Sequence, residues 1–136
     1  MNNIKYLIQY FFITLLFLIF KLFGFKFSLI LSSKIFLLFG PAFRSKRIIN
    51  ENLQRIFPKI DYKDRNKILK NMWINYGKIL AEYVFIKNFR TSKKFSQNII
   101  IENLDELLKI KNESKPVIFV SGHFNNFELM AMQIER

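Results

Sequence analysis

Residues 6–20 read YLIQYFFITLLFLIF, and only Gln9 and Thr14 in this run are polar. No other stretch limits the fold so tightly. As an α-helix it is about 22 Å long at the standard rise. Carried on through Lys21 to Phe25, it approaches the roughly 30 Å of a bilayer hydrocarbon core. A helix that is apolar all round has no face to give to water, so it needs either a protein core or lipid around it. A chain of 136 residues makes one domain at most and offers little surface for such a core. No small-x-small cleavage site follows the run, which speaks against a removed signal peptide. The run reads as a membrane anchor.

Charge sets its orientation. Lys5 precedes the run, whereas Lys26, Lys34, Arg44, Lys46 and Arg47 follow it. The positive-inside bias therefore places everything after the anchor in the cytoplasm, on the inner face of the plasma membrane. A second apolar stretch, Phe27 to Phe43, is interrupted by Lys34 and is expected to end at Gly40-Pro41. With lysines near both ends, its first part is expected to lie along the inner leaflet. Residues 1–43 then form an anchor with an interfacial helix, and 44–136 form the rest of the protein. The formal net charge is +12, and residues 1–60 carry nine Lys/Arg against one acid, Glu51. A basic excess on the most apolar half points to an anionic membrane surface before it points to nucleic acid. No recognised RNA-binding motif occurs.

Composition closes other routes. Seventeen Phe against four Gly and three Pro argue for an ordered chain. Without cysteine there are no disulfides and no thiolate metal sites. One histidine and no Asp-rich loop give no reason to expect a metal. There is no Gly-x-Ser-x-Gly elbow and no Walker loop.

The middle of the chain is helical by pattern. Ile48, Ile49, Asn52, Leu53, Ile56 and Phe57 recur at three-to-four spacing until Pro58 ends the run. The cluster Arg44, Lys46 and Arg47 just before it has two readings, a phosphate-binding group or a solvated helix start. A longer helix covers residues 61–86, with Asp61 or Asp64 as its cap. Ile68, Leu69, Met72, Trp73, Tyr76, Ile79, Leu80, Tyr83 and Val84 form its apolar face. Gly77 within that helix points to close packing, because glycine there costs about 1 kcal/mol. Residues 88–98 read as a loop, 99–103 as a short strand and 104–114 as a short helix. Val117 to Val120 are apolar on consecutive positions, as a strand covered on both faces is. Strand, helix, strand and a new helix start predict an α/β fold.

SGHFNNFE, residues 121–128, closes that pattern and holds the chain's one histidine. Gly122 allows a tight turn. Asn125 and Glu128 stand three apart, the spacing of a capping box, and this alone accounts for both. Open α/β sheets, however, bind ligands at the carboxyl ends of strands. With His123 on the turn and Glu128 in the first helical turn, the two side chains can meet as a general base and its orienting carboxylate. Ser121, two residues from His123, would need unusual turn geometry to serve as a nucleophile.

Together these stretches resemble the lipid A biosynthesis acyltransferases, the lauroyl and myristoyl transferases of Gram-negative bacteria. The resemblance runs over nearly the whole chain, through YLIQYFF, RIINENLQRIFP, NMWINYGKILAEY and IENLDELL, and is most specific in PVIFVSGHFNNFEL. There the family pattern is an apolar strand followed by Gly-His-Phe, a small residue, Asn, Trp and Glu. Gly122, His123, Phe124, Asn126 and Glu128 match it. Asn125 stands where a small residue is usual, and Phe127 where Trp is usual, keeping the aromatic but losing the indole donor.

The resemblance implies transfer of a fatty acyl group from acyl carrier protein to a hydroxyl of a lipid A precursor, in lipopolysaccharide biosynthesis. It makes His123 the general base and Glu128 its orienting partner, with no metal or redox cofactor. Asn126, with Arg44, Lys46 and Arg47, is assigned to substrate binding. Two alternatives are another acceptor, such as a different glycolipid or a lysophospholipid, and a non-enzymatic, membrane-anchored basic binding protein. Later strands and arginine-containing motifs of the family do not occur here. The expectation is therefore an N-terminal piece: a membrane-anchoring helix and a helical region leading into an incomplete acyltransferase sheet, with little activity of its own.

Overall fold

A computed structural model describes residues 2–113 and 115–134 of the chain. Eight helices make up its regular structure: α1 (Asn2–Phe23), α2 (Phe25–Phe43), α3 (Lys46–Ile56), α4 (Tyr62–Val84), α5 (Ile86–Thr91), α6 (Lys93–Ser96), α7 (Leu104–Asn112) and α8 (Phe127–Ile134). The expected α/β sheet is not found, since the described residues contain no strand. The chain divides into two compact units, residues 1–84 and 85–136.

The first unit begins with the apolar run as a helix of its own. α1 and α2 meet at Gly24, whose φ of 82° and ψ of 175° are open almost only to glycine. The corner is tied from both sides. The Gly24 N–H donates to the Phe20 carbonyl at 2.9 Å. The Ser28 hydroxyl is 2.8 Å from the Gly24 carbonyl oxygen and 3.1 Å from that of Phe20. The Ser28 hydroxyl thus reinforces carbonyls that already accept the Gly24 and Ser28 N–H groups. Both helices are long and apolar enough to cross a membrane, but only 6 % of the apolar stretch of α1 is buried, against 22 % of that of α2. Tyr6, Leu7, Tyr10, Phe11 and Phe12 are all exposed, and Phe20, beside the corner, is fully buried.

α2 packs along α4. The seam is built from small residues: Ser28, Ser32 and Gly40 are buried on α2, and Gly77 and Ala81 on α4. A Cβ on Gly77 would lie 2.5 Å from the Ser32 carbonyl oxygen, so the close packing expected at this glycine is present. The Ser33 hydroxyl donates to the Ile74 carbonyl at 3.2 Å. Nearer the end of α2, Trp73 lies directly over Gly40. Contacts that pair 40 with 73 and 32 with 77 make the two helices antiparallel. Gly40-Pro41 does not end α2, which runs on to Phe43 with Pro41 in its last turn. The reason is the tryptophan: glycine is retained to admit it, and not to break the helix.

α3 and α4 follow their sequence patterns. α3 stops at Ile56, two residues before Pro58. Asp61 caps α4, accepting the Asp64 N–H at 2.7 Å.

In the second unit three expectations are corrected. Residues 88–98 are mostly helical, in α5 and α6, and not a loop. Their organiser is aromatic: the Phe95 ring stacks on Phe85 at 6.1 Å and meets Phe89 edge-on at 5.2 Å. Residues 99–103 form no strand and end in a turn, with Asn103 left-handed at φ 57° ahead of α7. Residues 115–121 carry no regular structure. Val117 and Phe119 turn toward an apolar cavity lined also by Leu104, Leu108 and Ile134. Ile118 and Val120 are 89 % and 92 % exposed. Val117 and Phe119 themselves remain 44 % and 46 % exposed, so the segment is only partly covered on one face, whereas the uninterrupted apolar run predicts cover on both. Ser114, Glu135 and Arg136, which the expected helices include, lie outside the described residues.

Candidate active site

His123 stands on a turn immediately before α8. The Phe124 N–H donates to the Gly122 carbonyl at 2.9 Å, closing a three-residue turn with His123 at its centre. The turn holds the imidazole exposed, with the Phe127 ring against it at 4.0 Å between centroids and 42° between planes. Phe127, the residue standing where Trp is usual, therefore supports the histidine ring directly.

The next residues set the helix start one position later than the sequence predicted. Asn125 is left-handed, with φ 49°. Asparagine tolerates that conformation better than most residues, which explains why it can stand at a position usually held by a small residue. α8 begins at Phe127, so Asn125 does not adjoin the helix, and the Leu129 N–H donates to the Asn126 carbonyl at 3.2 Å. The Asn125–Glu128 capping box is thereby overturned. Asn126 is buried at 8 % exposure, whereas Glu128 is exposed in the first turn of α8.

His123 and Glu128 thus occupy the turn and the first helical turn, as expected. The imidazole rests on Phe127 and, among the described residues, forms no hydrogen bond or ion pair. The Ser121 hydroxyl is engaged locally, 3.1 Å from the Gly122 carbonyl oxygen. The apolar cavity of the second unit, about 560 Å³, lies between α7, the 115–121 segment and α8.

The basic cluster divides. Arg44 and Lys46 line a cavity at the end of α2, together with Arg65 and Lys70 of α4. Arg47 points elsewhere and pairs with Glu51, one helical turn on, at 3.5 Å between Nη1 and Oε1. The sequence reading missed Arg65 and Lys70. Five residues apart on one helix, they carry no signal of their own, and only the packing of α2 on α4 reveals that they share a cavity with Arg44.

Comparisons with curated proteins and with solved structures each gave no match. A family model described as bacterial lipid A biosynthesis acyltransferase matches residues 1–136, the full sequence, motif and apolar helices included. With Gly122, His123, Phe124, Asn126 and Glu128 all inside that match, the chain belongs to the bacterial lipid A biosynthesis acyltransferase family.

Proposed function

We propose that the protein transfers a fatty acyl group from acyl carrier protein to a hydroxyl of a lipid A precursor, at the cytoplasmic face of the inner membrane. Membership of an acyltransferase family of lipid A biosynthesis gives the reaction class. The observation that carries the assignment of roles is the exposed imidazole on its turn, with a carboxylate in the first turn of the next helix.

In this reading His123 accepts the proton of the acceptor hydroxyl as that oxygen attacks the thioester carbonyl. The tetrahedral intermediate collapses, the carrier thiolate leaves, and the imidazolium returns the proton to it. Glu128 orients the ring and stabilises its charged form. No covalent acyl-enzyme is needed. Asn126, buried at the helix start, shapes the turn that presents the acceptor. The cavity beside α7 and α8 offers an apolar surface for an acyl chain. Residues 1–43 seat the enzyme where its lipid acceptor lies, and the basic first half draws in the acidic carrier protein.

The test is His123→Ala in the full-length protein. Acyl transfer to a lipid A precursor is expected to fall about 10²- to 10⁴-fold, the usual worth of a general base, while the protein stays in the membrane fraction. Transfer that survives the substitution would remove His123 from the chemistry. Offering a lysophospholipid in place of the lipid A precursor decides the acceptor.

A further inference from the structure

The end of α2 holds a cavity lined by cations. A cavity of about 420 Å³ opens there between α2, the start of α3 and the first half of α4. Arg44, Lys46, Arg65 and Lys70 all line it, and none of its lining residues is acidic. Among the described residues no ion pair engages any of these four cations. The Arg65 guanidinium lies 5.2 Å from the Tyr62 ring centre, which holds it at the rim. The floor is apolar, made by Leu37, Ile49, Leu69 and Trp73. Four cations without carboxylate partners, converging from three elements, form a site for a phosphate group.

The apolar continuation identifies the kind of phosphate. Leu37 also lines a trough of about 540 Å³ that runs between α2 and α4 past Leu29, Ile30 and Ile74. Lys26, Lys34 and Lys78 rim the trough. Leu38, Phe39 and Phe43, at the same end of α2, are 72 %, 56 % and 86 % exposed. A free anion has no use for such a surface. A lipid uses both parts, its chain in the trough and its headgroup at the cations.

We infer that the Arg44–Lys46–Arg65–Lys70 cavity binds the phosphate of an anionic bilayer lipid, with an acyl chain laid along the α2–α4 trough. This rests on the membrane seat proposed above and not on the chemistry of His123. It makes lipid charge, and not only hydrophobicity, part of what holds the first unit against the bilayer.

Trp73 is the chain's one tryptophan and lines the cavity, so its emission reports on the site. The full chain is reconstituted in phosphatidylcholine vesicles, and phosphatidylglycerol is added stepwise. A saturable change in Trp73 emission is expected. The double substitution Arg65→Gln with Lys70→Gln should raise the phosphatidylglycerol fraction for half-saturation at least about tenfold, as the loss of two lipid-facing cations implies. Arg47→Gln, on a cation already paired with Glu51, should leave it unchanged. Circular dichroism matching the unsubstituted chain establishes that both variants fold. The inference fails if phosphatidylglycerol produces no saturable change, or if Arg47→Gln is as damaging as the double variant. It fails equally if inorganic phosphate alone saturates the signal. A chain that does not float with either vesicle removes the membrane seat and this site with it, whereas acyl transfer in detergent micelles remains a separate measurement.

Discussion

α1 and α2 are consecutive, similar in length and both apolar enough for a bilayer, yet they are built for different neighbours. α1 has large side chains on every side, and almost all of them are exposed. α2 keeps Ser28, Ser32 and Gly40 on one line and buries that line against Trp73, Gly77 and Ala81 of α4. Hydropathy alone does not separate the two. The size of the residues does: small side chains let two backbones approach, and bulky ones all round keep a second backbone at a distance.

The comparison can be broken most forcefully at Trp73. It is 8 % exposed and fills the space over Gly40. Trp73→Ala should destabilise the first unit by about 3–5 kcal/mol, as loss of a buried large aromatic does, read as a fall in thermal midpoint in detergent. A change below about 1 kcal/mol would mean that α2 is not anchored by this seam. On α1 the expected effect is on insertion and not on folding. Phe12 is 64 % exposed midway along the helix. Phe12→Asp should cost about 2.5–3.5 kcal/mol of membrane insertion, seen as release by alkaline extraction, with the thermal midpoint unchanged. A lowered midpoint with retention in the membrane would reverse the reading. The smallest effect belongs to the corner between the two helices. Ser28→Ala removes the hydroxyl beside the Phe20 and Gly24 carbonyls and should cost about 1–2 kcal/mol, measured by the same unfolding experiment.

Much of the first unit was legible in the sequence because its determinants are local. Pro58, Asp61 and the three-to-four spacing between them and Val84 act within a few residues of themselves. Gly77 announced a close approach because glycine inside an apolar face has few other reasons to be there. Gly40 carried the same message but was read as a helix end, since Pro41 beside it is a stronger local signal. The second unit was less legible. A helix satisfies its own backbone, whereas a strand is defined by its partner, and no composition states whether one is present. Val117 to Val120 have the residues of a strand and none of the pairing. The run from Asn88 to Asn98 looked like a loop because its lysines, serines and asparagines mask Phe89 and Phe95, whose rings fold it into α5 and α6. At the motif, the turn and the helix were foreseen, but the left-handed Asn125 set the helix start one residue later.

Gly24 has a mechanical consequence. It is a single-residue joint, stitched on both sides by Phe20, Ser28 and its own backbone. α1 therefore cannot slide along the bilayer normal without carrying α2 with it, and α2 cannot move without dragging α4 through the Gly77 contact. In the membrane seat proposed above, the depth of the first helix works as a gauge, fixing how high Arg44 and Arg65 ride relative to the headgroups.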